Sequence, residues 1–456
     1  MDDETSVSFV PLIKNRPYLV LISAQSVSNL GDWLYILALI VLVGVHWHAS
    51  PGMIAVMMLC LSTPMILLGP FVGVLADRFN RTVIMMLSNL VMAALVMAIP
   101  STHKLWVLFL VLIAIGSFES LFAPAEQGKL KEIVPDHQIH QATATKTAVN
   151  QITKVIGPGL SGLLVASFGA MSAFYLDGAS FIISTVLLLF TMRVHQGHET
   201  SPNLSTGQYH AHRQTADSES EDSQDEGIRG SEQQQNESFL ARFRVGWNHI
   251  LKRRFLLVGL FLLSIILLII QLTDSQFITL LRLLPNFTPN LFGYLMAAAG
   301  GGTLITALIS NQFKKVSSVY MMGIGSVGLA VGYGGIACLV EFHWAWWLIP
   351  MLAFIAGIGA GFVFIPFQAA VQRDTPVELT GRVFGVIGSF TTGAALLGPV
   401  VGGAIITLFG PVDGFLITGT ALAIIAVGVL ILKNWMKPGD NVGTKSDGRA
   451  QETTTG

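Results

Sequence analysis

Gln25, Ser28, Asp32 and Tyr35 recur at spacings of three and four inside the apolar stretch NRPYLVLISAQSVSNLGDWLYILAL. On a helix those spacings place all four side chains on one face. Asp32 sits about 15 residues into the stretch, roughly 22 Å along a helix axis. A carboxyl at that depth is costly unless it has a use, and buried carboxyls can exchange protons near neutral pH. Glu119, in IAIGSFESLF, and Asp274, in IIQLTDSQF with Gln271 beside it one turn back, are two further acids within apolar runs. The chemistry open to such a set is proton exchange or the binding of a polar group in a cavity. Lys146, Asn150 and Lys154 form a stripe on another apolar segment. Lys154 is expected to pair with Glu119, while Lys146 is expected to extend its long stem toward an interface. Asp177 is expected to lie near a membrane surface in a structural role.

The elements that hold these groups must lie in lipid. Only 12% of the 456 residues are charged and 52% are apolar, with 46 glycines besides, where soluble domains carry about 25% charged residues. Apolar runs of spanning length start near Pro17, Pro51, Thr82, Leu105, Ala142, Ser172, Phe255, Pro289, Val319, Trp344, Val383 and Val412. Runs such as LFLLSIILLII are apolar all round rather than on one stripe, as lipid-embedded helices are. No cleavable signal peptide is expected. With the N-terminus inside, all Lys and Arg except Lys104, Arg282, Lys146 and Lys154 fall on the cytoplasmic side, as the positive-inside rule requires.

Between residues 194 and 238 the chain turns polar, as in SESEDSQDEG and SEQQQNES, with too little apolar surface to offset the entropy of ordering. The sequences on either side of this linker repeat each other. Asp32 matches Asp274 and Pro124 matches Pro366 at an offset of about 242, while Pro135 and Pro376, Pro158 and Pro399, and Phe174 and Phe415 match at about 241. The expected organisation is a cytoplasmic segment at 1–16, a six-helix half at 17–193, a disordered linker at 194–238, an amphipathic juxtamembrane helix at 239–254, a second six-helix half at 255–433 and a disordered tail at 434–456. The fold class is thus an all-α membrane protein of twelve transmembrane helices in two pseudo-symmetric bundles, with both termini cytoplasmic.

The loop after the second run reads GPFVGVLADRFNRTVIMM. Gly73, Leu75, Ala76, Asp77, Arg78 and Arg81 resemble the loop signature of the major facilitator superfamily, G-x-L-A-D-R/K-x-G-R-R/K. The chain departs from that form at Asn80 and Thr82, and Asn80 is expected to take the left-handed turn that glycine would supply. The resemblance implies that Gly73, Asp77, Arg78 and Arg81 make up the cytoplasmic gate motif, with Asp77 and Arg81 forming its latch. The second-half counterpart is degenerate, with Asn311 where the aspartate would sit. IGPGLSG, with Gly157, Pro158 and Gly162, resembles the helix-packing motif of exporters in the superfamily. Gly398, Pro399, Gly402 and Gly403 repeat its pattern in the second half. NRPYLVLISAQSVSNLGDWLYILAL, FAPAEQGKLKEIVP and AFYLDGASFIIS resemble the macrolide-efflux and enterobactin-exporter branch of drug:proton antiporters.

The function implied is proton-coupled export of an amphipathic small molecule by a monomer in the plasma or inner membrane. Asp32, Glu119, Asp274, Gln25, Gln271 and Lys154 are the candidates for coupling and substrate contact. Lipid, lysolipid or siderophore transport on the same fold is one alternative. A receptor or scaffold acting through the linker is another. No cofactor, metal or nucleic-acid partner is expected. Cys60 and Cys338 stand too far from any His or Cys cluster for a metal site, and no Walker loop or nucleophile motif points to an enzyme.

Overall fold

The computed structural model describes residues 12–135, 138–195, 239–285, 287–313, 316–343 and 345–431. Most of the expected linker and the whole expected tail lie outside the described residues. Every regular element among those described is helical. The first half comprises α1 (Arg16–Val41), α2 (Pro51–Arg78), α3 (Arg81–Ala98), α4 (Leu105–Ile133), α5 (Ile139–Phe168) and α6 (Ala170–His195). Next comes α7 (Phe239–Lys252), a short helix outside the candidate spans. The second half contains α8 (Arg254–Thr273), the single turn and a half of α9 (Phe277–Leu281), α10 (Pro289–Ile309), α11 (Ser318–Glu341), α12 (Ile349–Asp374), α13 (Val377–Phe409) and α14 (Pro411–Ile431). Ten helices among the described residues are long and apolar enough to cross a membrane, and α2 and α5 carry shorter apolar stretches, Pro51–Met65 and Ile156–Phe168.

Local chemistry explains where the helices begin and end. Asn15 caps α1 by accepting from the Tyr18 amide, and Ser50 caps α2 by accepting from Met53. Proline follows each cap, where its missing N–H costs nothing. Gly169 (φ 81°) ends α5 and Gly410 (φ 91°) ends α13. The two glycines are repeat partners in a backbone conformation that side chains resist.

Packing obeys the same repeat. In the first half α1 packs on α5 and α6, α2 on α4, and α3 on α4 and α6; in the second, α8 packs on α13 and α14, α10 on α12, and α11 on α12 and α14. The halves meet along two seams, α5 against α10 and α2 against α13, which the repeat exchanges with each other. Glycines let the seams close. A Cβ on Gly159 or Gly162 would press on the α10 backbone at Gly300 or at Gly293 and Ala297. A Cβ on Gly403 would press on Ala55 of α2. The halves also join at the end where α2 begins, here termed the far end: Gln276 Nε2 donates to the Pro51 carbonyl at 3.0 Å and an Arg282 Nη donates to that of Ala49 at 3.1 Å. The near end is the one where α1 begins.

Candidate functional site

The polar groups of the first half lie in two layers along α1 and α4. The layer deeper in the bundle contains Asp32 and Tyr35 from α1, Glu119 from α4 and Asp177 from α6, all within electrostatic reach of one another. Asp32 is half-buried and Glu119 is exposed within an apolar helix. Asp177 is fully buried, because α6 turns it inward against Gly31 of α1. Its Oδ1 accepts from Ser180 Oγ at 3.1 Å, while its Oδ2 and the Tyr35 hydroxyl are buried without a partner. Among the described residues no Lys or Arg forms an ion pair with Asp32, Glu119 or Asp177. Three carboxyls in a medium of low dielectric favour a shared proton or a bound cation over three bare negative charges.

Seven residues nearer the start of α1, about 10 Å along the axis, lies the second layer. Lys146 Nζ of α5 forms an ion pair with Glu126 Oε2 of α4 at 2.7 Å, and Gln25 Nε2 of α1 donates to the same oxygen at 3.0 Å. The expectation that Lys146 reaches for an interface is therefore corrected: a buried acid lies within range, and pairing with it leaves neither charge alone. Asn29 Nδ2 donates to Asn150 Oδ1 at 3.0 Å and continues the polar contacts between α1 and α5. The Lys154 side chain, and with it the expected pairing with Glu119, lies outside the described residues. Glu126 was not singled out by spacing, although it lies two turns from Glu119 on the same helix face.

In the second half α8 ends at Thr273, and Asp274–Gln276 form a tight turn before α9. The α-helix is thus interrupted at Asp274, within a stretch, Arg254–Leu281, that is long and apolar enough to cross a membrane. That residue is exposed, and Tyr333 Oη of α11 donates to its Oδ1 at 3.4 Å. Phe277 packs on Tyr333 at 5.1 Å between ring centroids and on Phe415 at 4.8 Å. Gln271 packs where a Cβ on Gly398 would fall. At the offset of the repeat, Gly361, Thr418, Gln368 and Ile387 replace Glu119, Asp177, Glu126 and Lys146. Of the acids in these two layers, Asp32 alone has an acidic partner in the second half.

At the near end Arg78 is exposed, and the side chains of Gly73 and Asp77 lie outside the described residues. Arg81 reaches from α3 to the end of α4, where an Nη donates to the Gly128 carbonyl at 3.2 Å and to Glu132 Oε1 at 2.7 Å. Lys129 Nζ pairs with the other Glu132 oxygen at 3.0 Å. Asn80 is not left-handed: with φ −59° it caps α3, its Oδ1 accepting from the amides of Thr82 and Val83. A helix start needs an acceptor for its free amides more than it needs a glycine. In the exporter motif Gly157 faces Trp33 of its own half, while the unheralded Gly159 and the expected Gly162 face α10 across the seam. Pro158 lies inside α5. Among the described residues no group of three His, Cys, Asp or Glu side chains could hold a metal ion.

The model of the Major Facilitator Superfamily matches residues 21–397. An Uncharacterized MFS-type transporter, YfiS of Bacillus subtilis (strain 168), is 34% identical over 97% of this chain and 99% of its own length. The Multidrug efflux pump Tap of Mycolicibacterium fortuitum is 21% identical over 92% of this chain and 96% of its own length. Among solved structures, the nucleoside transporter NupG superposes with a TM-score of 0.62 over 91% of this chain and 99% of its own, at 14% identity, a likeness of fold alone.

Proposed function

The chain belongs to the major facilitator superfamily, a family of multi-pass membrane transporters and not of enzymes, and from that premise we propose that it exports amphipathic small molecules in exchange for protons. The observation that carries this reading is the layer of Asp32, Glu119, Asp177 and Tyr35 in the first half. A carboxyl cluster without a basic partner among the described side chains suits a site that is filled alternately by protons and by a cationic or amphipathic substrate. Asp274, exposed at the break of α8, would face it from the second half.

Alternating access supplies the cycle. The halves rock about the α5–α10 and α2–α13 seams, whose small residues permit sliding at close range. The cavity lies between α1, α4, α8 and α12. Protons entering from outside displace the substrate outward, and their release to the cytoplasm readies the cluster for the next molecule. The name of Tap supports the efflux direction at 21% identity.

A susceptibility panel in a host stripped of its own efflux pumps tests this function. Expression of the parent chain is expected to raise the tolerated concentration of at least one lipophilic cation, and Asp77→Asn, in the gate loop, is expected to abolish most of that protection. A parent that protects against nothing, or that accumulates the compound inside cells, contradicts the reading.

A further inference from the structure

The Glu126–Lys146 pair lies outside the set of side chains assigned to coupling, yet it is built as a site. Glu126 is only 3% exposed, and its two oxygens are unequal. Oε2 takes both Lys146 Nζ and Gln25 Nε2, while Oε1 is buried with no partner. An isolated structural ion pair is stable when all of its lone pairs are satisfied. Here one carboxylate oxygen is left over, in a position to receive a proton.

Its neighbours form a chain. Gln25 and Asp32 are seven residues apart on α1, as Glu126 and Glu119 are on α4, so the pair lies about 10 Å below the Asp32–Glu119 layer on the same faces. Asn29 and Asn150 bridge the interval. Among the described side chains, the other ionisable groups on the elements around Glu126 are engaged elsewhere, are exposed at the near end or lie in the deeper layer. Tyr18 of α1 donates to the Ala142 carbonyl. Arg81 of α3 and Lys129 of α4 both bind Glu132. Asp32, Glu119 and Asp177 belong to the deeper layer. Among the described side chains Lys146 is the one charge paired with Glu126. Through Lys146 the pair fastens α5 to α4 and, by Gln25, to α1; α5 is also the first half's seam helix against α10.

We propose that Glu126 is a second proton-carrying site, filled at Oε1, whose ion pair with Lys146 ties α5 to α1 and α4 while charged and frees α5 when protonated. The step is a simple uptake: a proton from near-end water bonds to Oε1, the carboxylate becomes a neutral acid, and Lys146 remains an ammonium that turns toward water. The inference rests on the proton-exchange reading, since it is the seam movement that the second proton would control.

Spin labels at the exposed positions Lys131 on α4 and Gln141 on α5, in a chain lacking Cys60 and Cys338, read the tie directly without transport. Reconstituted parent protein is expected to show a longer α4–α5 distance population that grows as the buffer moves from mildly alkaline to mildly acidic. Glu126→Gln is expected to hold that population at every pH, and Glu126→Asp to restore the pH response. The double variant Glu126→Gln, Lys146→Met removes both buried charges and guards against misfolding; it too is expected to be insensitive to pH. A parent without a pH-dependent distance, or a Glu126→Gln chain that keeps the parent's response, overturns the proposal. Failure of proton-driven transport with an intact distance response would instead count against the exporter reading alone.

Discussion

Gly31 of α1 lies directly against Asp177 of α6, so that a Cβ at position 31 would overlap Asp177 Oδ1 and Ser180 Oγ. At the equivalent place in the second half, Thr273 Oγ1 donates to Thr418 Oγ1 at 3.3 Å. In place of this neutral hydroxyl pair the first half has a glycine that admits a carboxyl. Gly31→Ala should therefore displace Asp177 and cost about 1–3 kcal/mol by overpacking. Thermal unfolding in detergent checks this, with a lowered Tm expected for Gly31→Ala and none for Gly428→Ala, where an added methyl meets open space.

The α5–α10 seam has no room for larger side chains at Gly162, which faces the Gly293 carbonyl and the Ala297 amide. Gly162→Val should leave the protein inserted in the membrane but slow efflux by at least about tenfold, because close helix approach depends on small residues. Whole-cell efflux of a fluorescent cation, normalised to the amount of protein in the membrane, measures the effect.

Asn80 serves as a cap rather than as a left-handed turn. Asn80→Asp and Asn80→Ser should then be nearly neutral, and Asn80→Ala should destabilise by about 1 kcal/mol, with Asn80→Gly losing only a few tenths. Unfolding midpoints of the four variants distinguish the two roles, since a left-handed site would rank glycine first.

The helix α7 is held by Trp247, stacked on Phe390 of α13 at 5.7 Å, by the buried Ile250 and by His249. Burial, reinforced by Arg253 and then Lys252, lowers the pKa of His249 from its usual 6.5, against the opposing pull of a hydrogen bond to the Asp374 backbone. A lowered value means that the undocked helix binds the proton more tightly. Docking is therefore strongest above pH 6.5 and is lost as the pH falls through the lowered value. Hydrogen exchange of the α7 segment, compared with His249→Phe at the same pH, should show protection falling on acidification in the parent only.

Much of this arrangement was legible in the sequence because lipid imposes it. The repeat register reappears in Gly169 and Gly410 and in the exchange of seams, since each half must solve the same packing problem. The faces of single side chains were less legible. The inward direction of Asp177 was not legible because counting residues from the start of a span gives depth but not direction, and its direction is set by the space at Gly31. Glu126 was overlooked because it follows Pro124 near the end of a span, where a charge reads as a helix end; only the fold brings Lys146 to it. Asn80 was misread because the family form has glycine there, whereas this chain meets the same need with a side-chain acceptor.

The carboxyl layer bears the central claim, and transport into or out of proteoliposomes with an imposed pH gradient tests it most directly. The gradient should accelerate movement of a lipophilic cation by the parent, and Asp32→Asn and Glu119→Gln should each reduce that acceleration by at least about tenfold while exchange without a gradient survives. Asp274→Asn should reduce it less, since Asp274 stands alone against Tyr333 in its half. If all three variants respond to the gradient as the parent does, the carboxyl layer is not the coupling site.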